Sequence, residues 1–235
     1  MKKTIAFLST LAALGALPAG TTLAEPIVWG VQVEQLEHRL GEASGNILAW
    51  DFDAFVGNDD LKLVWRSEAE YETGPGQFEA LENQARLQFP VSDFFDGVMG
   101  VRVENPKSYD RVDFVAGLHG LTKQWFEIDA DLFLSQHPSA RFEIEYEGLI
   151  TNRITLTPSF EVDLPFTDDS EKDVGAWGMK TEIGARLSYD LVDRLFSPYI
   201  GVHYERSFGE TERILSAEGE ASESVYLVTG MKIMF

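Results

Sequence analysis

The chain carries four histidines, 39 Asp and Glu residues and no cysteine. Thiolate metal sites, thiol nucleophiles and disulfides are therefore excluded. Imidazole and carboxylate are what remain for chemistry. Glu34 and His38 are four residues apart, Asp51 and Asp53 two apart, and His203 and Glu205 two apart. On an extended chain such even spacings place side chains on one face. Imidazole nitrogen with carboxylate oxygen suits a borderline divalent transition ion in tetragonal geometry. Glu34, His38, Asp51, Asp53, His203 and Glu205 are the candidate ligands. The competing reading is that the same carboxylates pair with Lys62, Arg66 and Arg86 and hold an interior rigid and filled. His119, on the face of Asp113 near a turn, reads as structural, and His137 beside Pro138 as an exposed tip. Catalysis has little to work with. No G-x-S-x-G elbow occurs, and no Ser/His/acid spacing stands out.

The elements that must position these residues are strands. Apolar and polar residues alternate almost everywhere: Phe142, Ile144 and Tyr146 against Glu143, Glu145 and Glu147; Phe126, Ile128 and Ala130 against Glu127, Asp129 and Asp131. Twelve such segments are expected, over 27–38, 46–56, 60–72, 77–89, 97–104, 111–120, 125–135, 140–150, 153–164, 177–189, 198–208 and 223–235; ten is the count if one hairpin is over-read. Each is near the ~9–11 residues of a tilted membrane-crossing strand. Tight turns such as Gly57-Asn58-Asp59 and Thr151-Asn152 alternate with long connections, Pro165 to Ala176 and Gly209 to Ser222. The long ones fall at odd-numbered positions, which places both termini on the same side. A soluble β-sandwich also alternates. Charged residues in mid-strand, aromatics near strand ends (Trp29, Trp50, Phe94, Trp125, Phe196) and a final Phe235 favour a closed antiparallel transmembrane β-barrel of the outer-membrane type.

Lys2, Lys3, the apolar run Thr4 to Ala16 and the small-residue site Thr22-Leu23-Ala24 read as a signal peptide over residues 1–24, leaving residues 25–235 as a single barrel domain. The formal net charge is -20, which excludes nucleic acid binding by phosphate neutralisation and suits the attraction of cations.

Several strands resemble one family. Val31-Gln-Val-Glu-Gln-Leu-Glu-His-Arg, Asn46-Ile-Leu-Ala-Trp-Asp-Phe-Asp-Ala-Phe-Val-Gly and Lys62-Leu-Val-Trp-Arg-Ser-Glu-Ala-Glu are similar to the start of the copper-resistance protein B family. Ala140-Arg-Phe-Glu-Ile-Glu-Tyr-Glu-Gly-Leu-Ile-Thr-Asn-Arg and Ser197-Pro-Tyr-Ile-Gly-Val-His-Tyr-Glu-Arg-Ser-Phe-Gly resemble its later strands. The resemblance implies an outer-membrane barrel of Gram-negative bacteria that binds or passes copper ions in copper tolerance, beside a periplasmic copper-binding protein or oxidase. It also implies that the last strand is the signal read by the outer-membrane assembly machinery. Many members carry a Met- and His-rich segment before the barrel; here Glu25-Pro26 runs straight into the first strand, and the one Met-x-x-Met spacing is Met231-Lys-Ile-Met234 in the last strand, so a dedicated soft Cu(I) trap is not expected. A small unselective porin and, less favoured, an outer-membrane hydrolase remain the other functional readings.

Overall fold

In the computed structural model the alternating segments close on themselves. It describes residues 26–41, 45–105, 111–192 and 194–235; the expected leader lies outside the described residues. The strands are β1 (Val28–Gly41), β2 (Asn46–Gly57), β3 (Lys62–Glu72), β4 (Gln77–Pro90), β5 (Phe95–Glu104), β6 (Arg111–Leu121), β7 (Phe126–Leu134), β8 (Ser139–Tyr146, resumed after Glu147 as Gly148–Leu149), β9 (Ile154–Pro165), β10 (Lys180–Tyr189), β11 (Phe196–Ser207) and β12 (Glu223–Met234). Every neighbouring pair is antiparallel, and β12 pairs with β1, so twelve strands form a closed barrel. Closure leaves no strand edge unpaired, which is the condition for spanning hydrocarbon with strands.

Burial is inverted relative to a soluble domain. Leu63, Trp65, Leu87, Met99, Ile200 and Leu227 stand exposed on the outer face, while Arg86, Gln84, Glu37 and Asp113 are among the most buried side chains. An apolar belt of this extent would aggregate in water and is stable only against lipid. The turns after β2, β4, β6, β8 and β10 share the end that holds both termini, the periplasmic end by the short-turn rule. Trp29 and Trp125 ring that end, exposed on the outside. The seam continues past β12: Phe235 N–H donates to the Val31 carbonyl at 2.8 Å, and Val31 N–H returns the bond to the Phe235 carbonyl at 3.1 Å.

Two departures from simple alternation bear on the candidate site. In β1, Glu34 and Gln35 together oppose Lys232, because Val33 pairs with Ile233 and Leu36 with Met231. This β-bulge inserts one residue and reverses the parity of everything after it. Before it Gln32 faces inward; after it Gln35, Glu37 and Arg39 do. The eleventh connection, expected as a loop, contains a helix, α1 (Gly209–Glu218). Acidic Glu210 and Glu212 lie in its first turn, where the helix dipole favours them, and Gly219 ends it in the left-handed conformation at φ 82. Thr211 is buried against the ninth connection, donating to the Gly178 carbonyl at 2.7 Å and accepting from Gly175 N–H at 3.1 Å. A Cβ on Gly178 would stand 2.3 Å from the Thr211 hydroxyl, so only glycine admits this contact. Lys172 to Glu104 and Arg111 to Asp169 fasten the same connection to the barrel rim.

Candidate metal centre in the barrel lumen

The lumen is a network of ion pairs built from the inward face of each strand. Glu37 accepts from Arg39 Nε at 2.6 Å, from Arg186 Nε and Nη2 at 2.9 Å each, and from the Tyr199 hydroxyl at 2.8 Å. Arg102 pairs with Asp113 and Glu82 and lies 3.5 Å over the Phe133 ring, a stacked guanidinium in a site shielded from water. Arg141 joins Glu68, Glu161 and Asp163. Toward the periplasmic end Arg86, fully buried, bonds Asp131, and Arg66 bonds Asp53 at 3.2 and 3.3 Å. The competing reading of these charges as a pairing network therefore holds for most of them.

Above that layer lies a cavity of ≈ 670 Å³ opening toward α1 and the ninth connection. Fifteen Asp and Glu line it against seven Arg and Lys, so its field attracts cations. In its wall β10 and β11 bring Glu182 opposite Glu205, with His203 two residues before Glu205 on the same inward face. One donor atom from each of Glu182, His203 and Glu205 lies within 4.8 Å of the others. His203 Nε2 is 3.2 Å from Glu182 Oε2. Arg39 Nη1, which can only donate, stands 3.4 Å from the same Nε2, and the other ring nitrogen is Nδ1. That Nδ1 is buried and has no hydrogen-bond partner. Lys180 Nζ bridges Glu182 at 2.9 Å and Glu205 at 3.0 Å, so a cationic group already occupies the space between the two carboxylates. The donor set and the orphaned nitrogen fit a borderline divalent ion that displaces the ammonium.

The other predicted ligands are not gathered here. The bulge turns His38 outward: it registers with Leu48 and Thr229, both exposed on the lipid face. The inward assignment of His38 is thus overturned, and the inward residues of that stretch are Glu37 and Arg39. Glu34 accepts from Gln32 at 2.7 Å beside Lys232, six residues along β12 from Tyr226, the neighbour of His203; that is ~20 Å of strand. Asp53 is held by Arg66, while Asp51 lines the same cavity as His203 with one carboxylate oxygen free of hydrogen bonds. Glu182 was missed. The signal that would have found it is register: β10 adjoins β11, and Glu182 alternates with Gly184 and Arg186 on the face opposite Ile183. His119 lies inward near the periplasmic end, against Asp129.

A closed twelve-strand barrel with a lipid-facing apolar belt and a charged lumen is a β-barrel of the outer-membrane class. The chain superposes on the NanC porin with a TM-score of 0.56 at 13% identity, covering 86% of this chain and 98% of that one. Residues 27–235 match the family model described as copper resistance protein B precursor (CopB). The chain is 32% identical over 226 residues to copper resistance protein B of Escherichia coli, covering 95% of this chain and 75% of that protein. It is 31% identical over 193 residues to the copper resistance protein B homolog of Pseudomonas syringae pv. tomato, covering 81% of this chain and 65% of the homolog. The chain belongs to the copper resistance protein B family. It is a non-enzymatic protein of the outer membrane, and copper resistance is the role that its family and barrel fit.

Proposed function

We propose that the barrel takes Cu(II) into its lumen and holds it at Glu182, His203 and Glu205 as its part in copper resistance. The observation that carries this is a buried His203 with an unpartnered ring nitrogen, clustered with the carboxylates of Glu182 and Glu205 in the wall of an acidic cavity. Cu(II) is the favoured state because the ligand set is nitrogen and oxygen. None of the four methionines among the described residues lines this cavity, so the thioethers that a Cu(I) site needs are not in its wall. The surplus of carboxylates draws the ion in from the side of the long connections, and the buried Arg86 layer opposes free flow beyond it. A periplasmic copper-binding protein or oxidase is the natural recipient of an ion held in this way.

The test is Cu(II) titration of the refolded barrel in lipid vesicles. His203→Ala and Glu182→Gln each remove a ligand and are expected to weaken binding at this site at least about tenfold. His38→Ala, facing lipid, is expected to leave binding unchanged. Equal affinity in His203→Ala and wild type would refute the site. Large, steady, unselective conductance in planar bilayers would favour a general porin instead.

A further inference from the structure

The described residues hold a second group with the same donor chemistry at the opposite end of the barrel. His119, two residues before the end of β6, faces Asp129 of β7, and Glu127 follows on the same inward face. His119 Nδ1 lies 3.1 Å from Asp129 Oδ2, and His119 Nε2 lies 3.9 Å from Glu127 Oε1. One donor atom from each of the three lies within 4.8 Å of the others. Asp129 can only accept, so it takes a proton from Nδ1, and Nε2, which faces Glu127, is the ring nitrogen that a metal ion would take once its own proton is displaced. This is the carboxylate–histidine pairing that orients metal-binding imidazoles. Two donors 3.9 Å apart can share one ion at the usual ~2.0–2.2 Å from each. Asp129 is in turn fixed from behind by Arg66 at 3.8 Å and Arg86 at 3.6 Å, while the Glu127 side chain is half exposed. The rigid partner is buried and the other ligand is open to the periplasmic mouth.

We propose that His119 and Glu127 form a second site for a borderline divalent transition-metal ion at the periplasmic mouth, with Asp129 as the residue that positions His119. The site stands apart from the lumenal one, beyond the Arg66 and Arg86 layer, and does not depend on it. Its half-exposed Glu127 leaves coordination positions open to water or to an incoming donor from the periplasmic side.

Cu(II) alone is the probe, titrated into the refolded full barrel in vesicles and followed by electron paramagnetic resonance. His203→Ala is expected to retain one nitrogen-coordinated ion, and His203→Ala/His119→Ala to lose it. Glu127→Gln, exposed and outside the arginine network, preserves the fold and is expected to weaken the ion in the His203→Ala background at least tenfold. Asp129→Asn in that background is expected to keep nitrogen coordination but change the copper hyperfine pattern and weaken binding about 10–100-fold. A nitrogen-coordinated ion that survives His119→Ala in the His203→Ala background overturns the site. So does unchanged affinity in Glu127→Gln. An unchanged hyperfine pattern in Asp129→Asn overturns its positioning role. If His203→Ala matches wild type while His119→Ala loses the ion, the lumenal reading fails and this one stands.

Discussion

Glu37→Ala probes the lumenal network most directly. The carboxylate, 1% exposed, accepts four hydrogen bonds, three of them from the guanidiniums of Arg39 and Arg186, which are 5% and 3% exposed. Removing one partner of a buried ion pair destabilises by about 3–5 kcal/mol because the remaining charges lose their compensation. Here Arg39 keeps Glu70, and Arg186 keeps Gln35 at 2.9 Å and Ser159 at 3.3 Å. The expected loss is therefore at the lower end, about 3 kcal/mol. Glu37→Gln retains the shape but not the charge, and charge-assisted bonds are roughly twice as strong as neutral ones, so about half that loss is expected. Glu37→Ala/Arg186→Met removes both partners and is expected to recover part of the stability, since no uncompensated charge remains. The assay is reversible denaturant unfolding of the barrel in lipid vesicles, followed by tryptophan fluorescence. A Glu37→Ala loss below 1 kcal/mol, or a double variant as unstable as the sum of its singles, would refute the idea that paired charges hold the lumen.

Deleting Phe235 removes the two backbone bonds to Val31; the expected outcome is reduced recovery of folded barrel in the outer-membrane fraction, read by heat-modifiable mobility on gels, with Cu(II) affinity of the folded remainder unchanged. Gly117→Ala would put a Cβ 2.0 Å from Asp131 Oδ1 and 2.6 Å from the Ala130 carbonyl; a loss of about 1–3 kcal/mol is expected in the same unfolding assay. Arg86→Ala removes the fully buried partner of Asp131, and single-channel recording is expected to show a larger, cation-selective conductance than wild type. In the ninth connection, burial pushes the Asp169 carboxyl up, but the Arg111 hydrogen bond and charge hold it below the usual carboxylate range. Its fastening of the connection is thus present above the ordinary Asp value of about 3.9 and is lost as pH falls through the lowered one. Protease sensitivity of residues 166–179 should rise only at strongly acid pH, and Asp169→Asn should raise it at neutral pH.

Period-two alternation made the barrel, its strand number and its end-to-end polarity legible, because each strand must satisfy lipid outside and charge inside within single residues. His203 and Glu205 were legible for the same reason: β11 is regular, so parity runs true along it. His38 was not, because a bulge is a local backbone choice and Val31 to Leu40 alternates plausibly on either side of it. Glu182 demanded knowledge of register between strands rather than alternation within one. The helix at Gly209–Glu218 escaped because it is short and mostly polar, and its one buried anchor is Thr211, whose partners Gly175 and Gly178 lie in another connection. His119 was read as structural from its turn; its contact with Asp129 is real, but the approach of Nε2 to Glu127 depends on a carboxylate from the next strand.

The bulge at Glu34 and Gln35 makes β1 read in two frames, as a coding sequence does on either side of an inserted base. Substitutions along it act one at a time, but a change of length acts on all that follows. Loss of a single residue there would send Glu37 and Arg39 into hydrocarbon together and draw Leu36, His38 and Leu40 inside; a charge on the lipid face alone costs about 2–4 kcal/mol at the midplane for Arg. The first strand of this barrel is therefore tolerant of drift in identity and intolerant of drift in length. Relatives should differ freely in its letters while keeping its count from Val31 to Gly41.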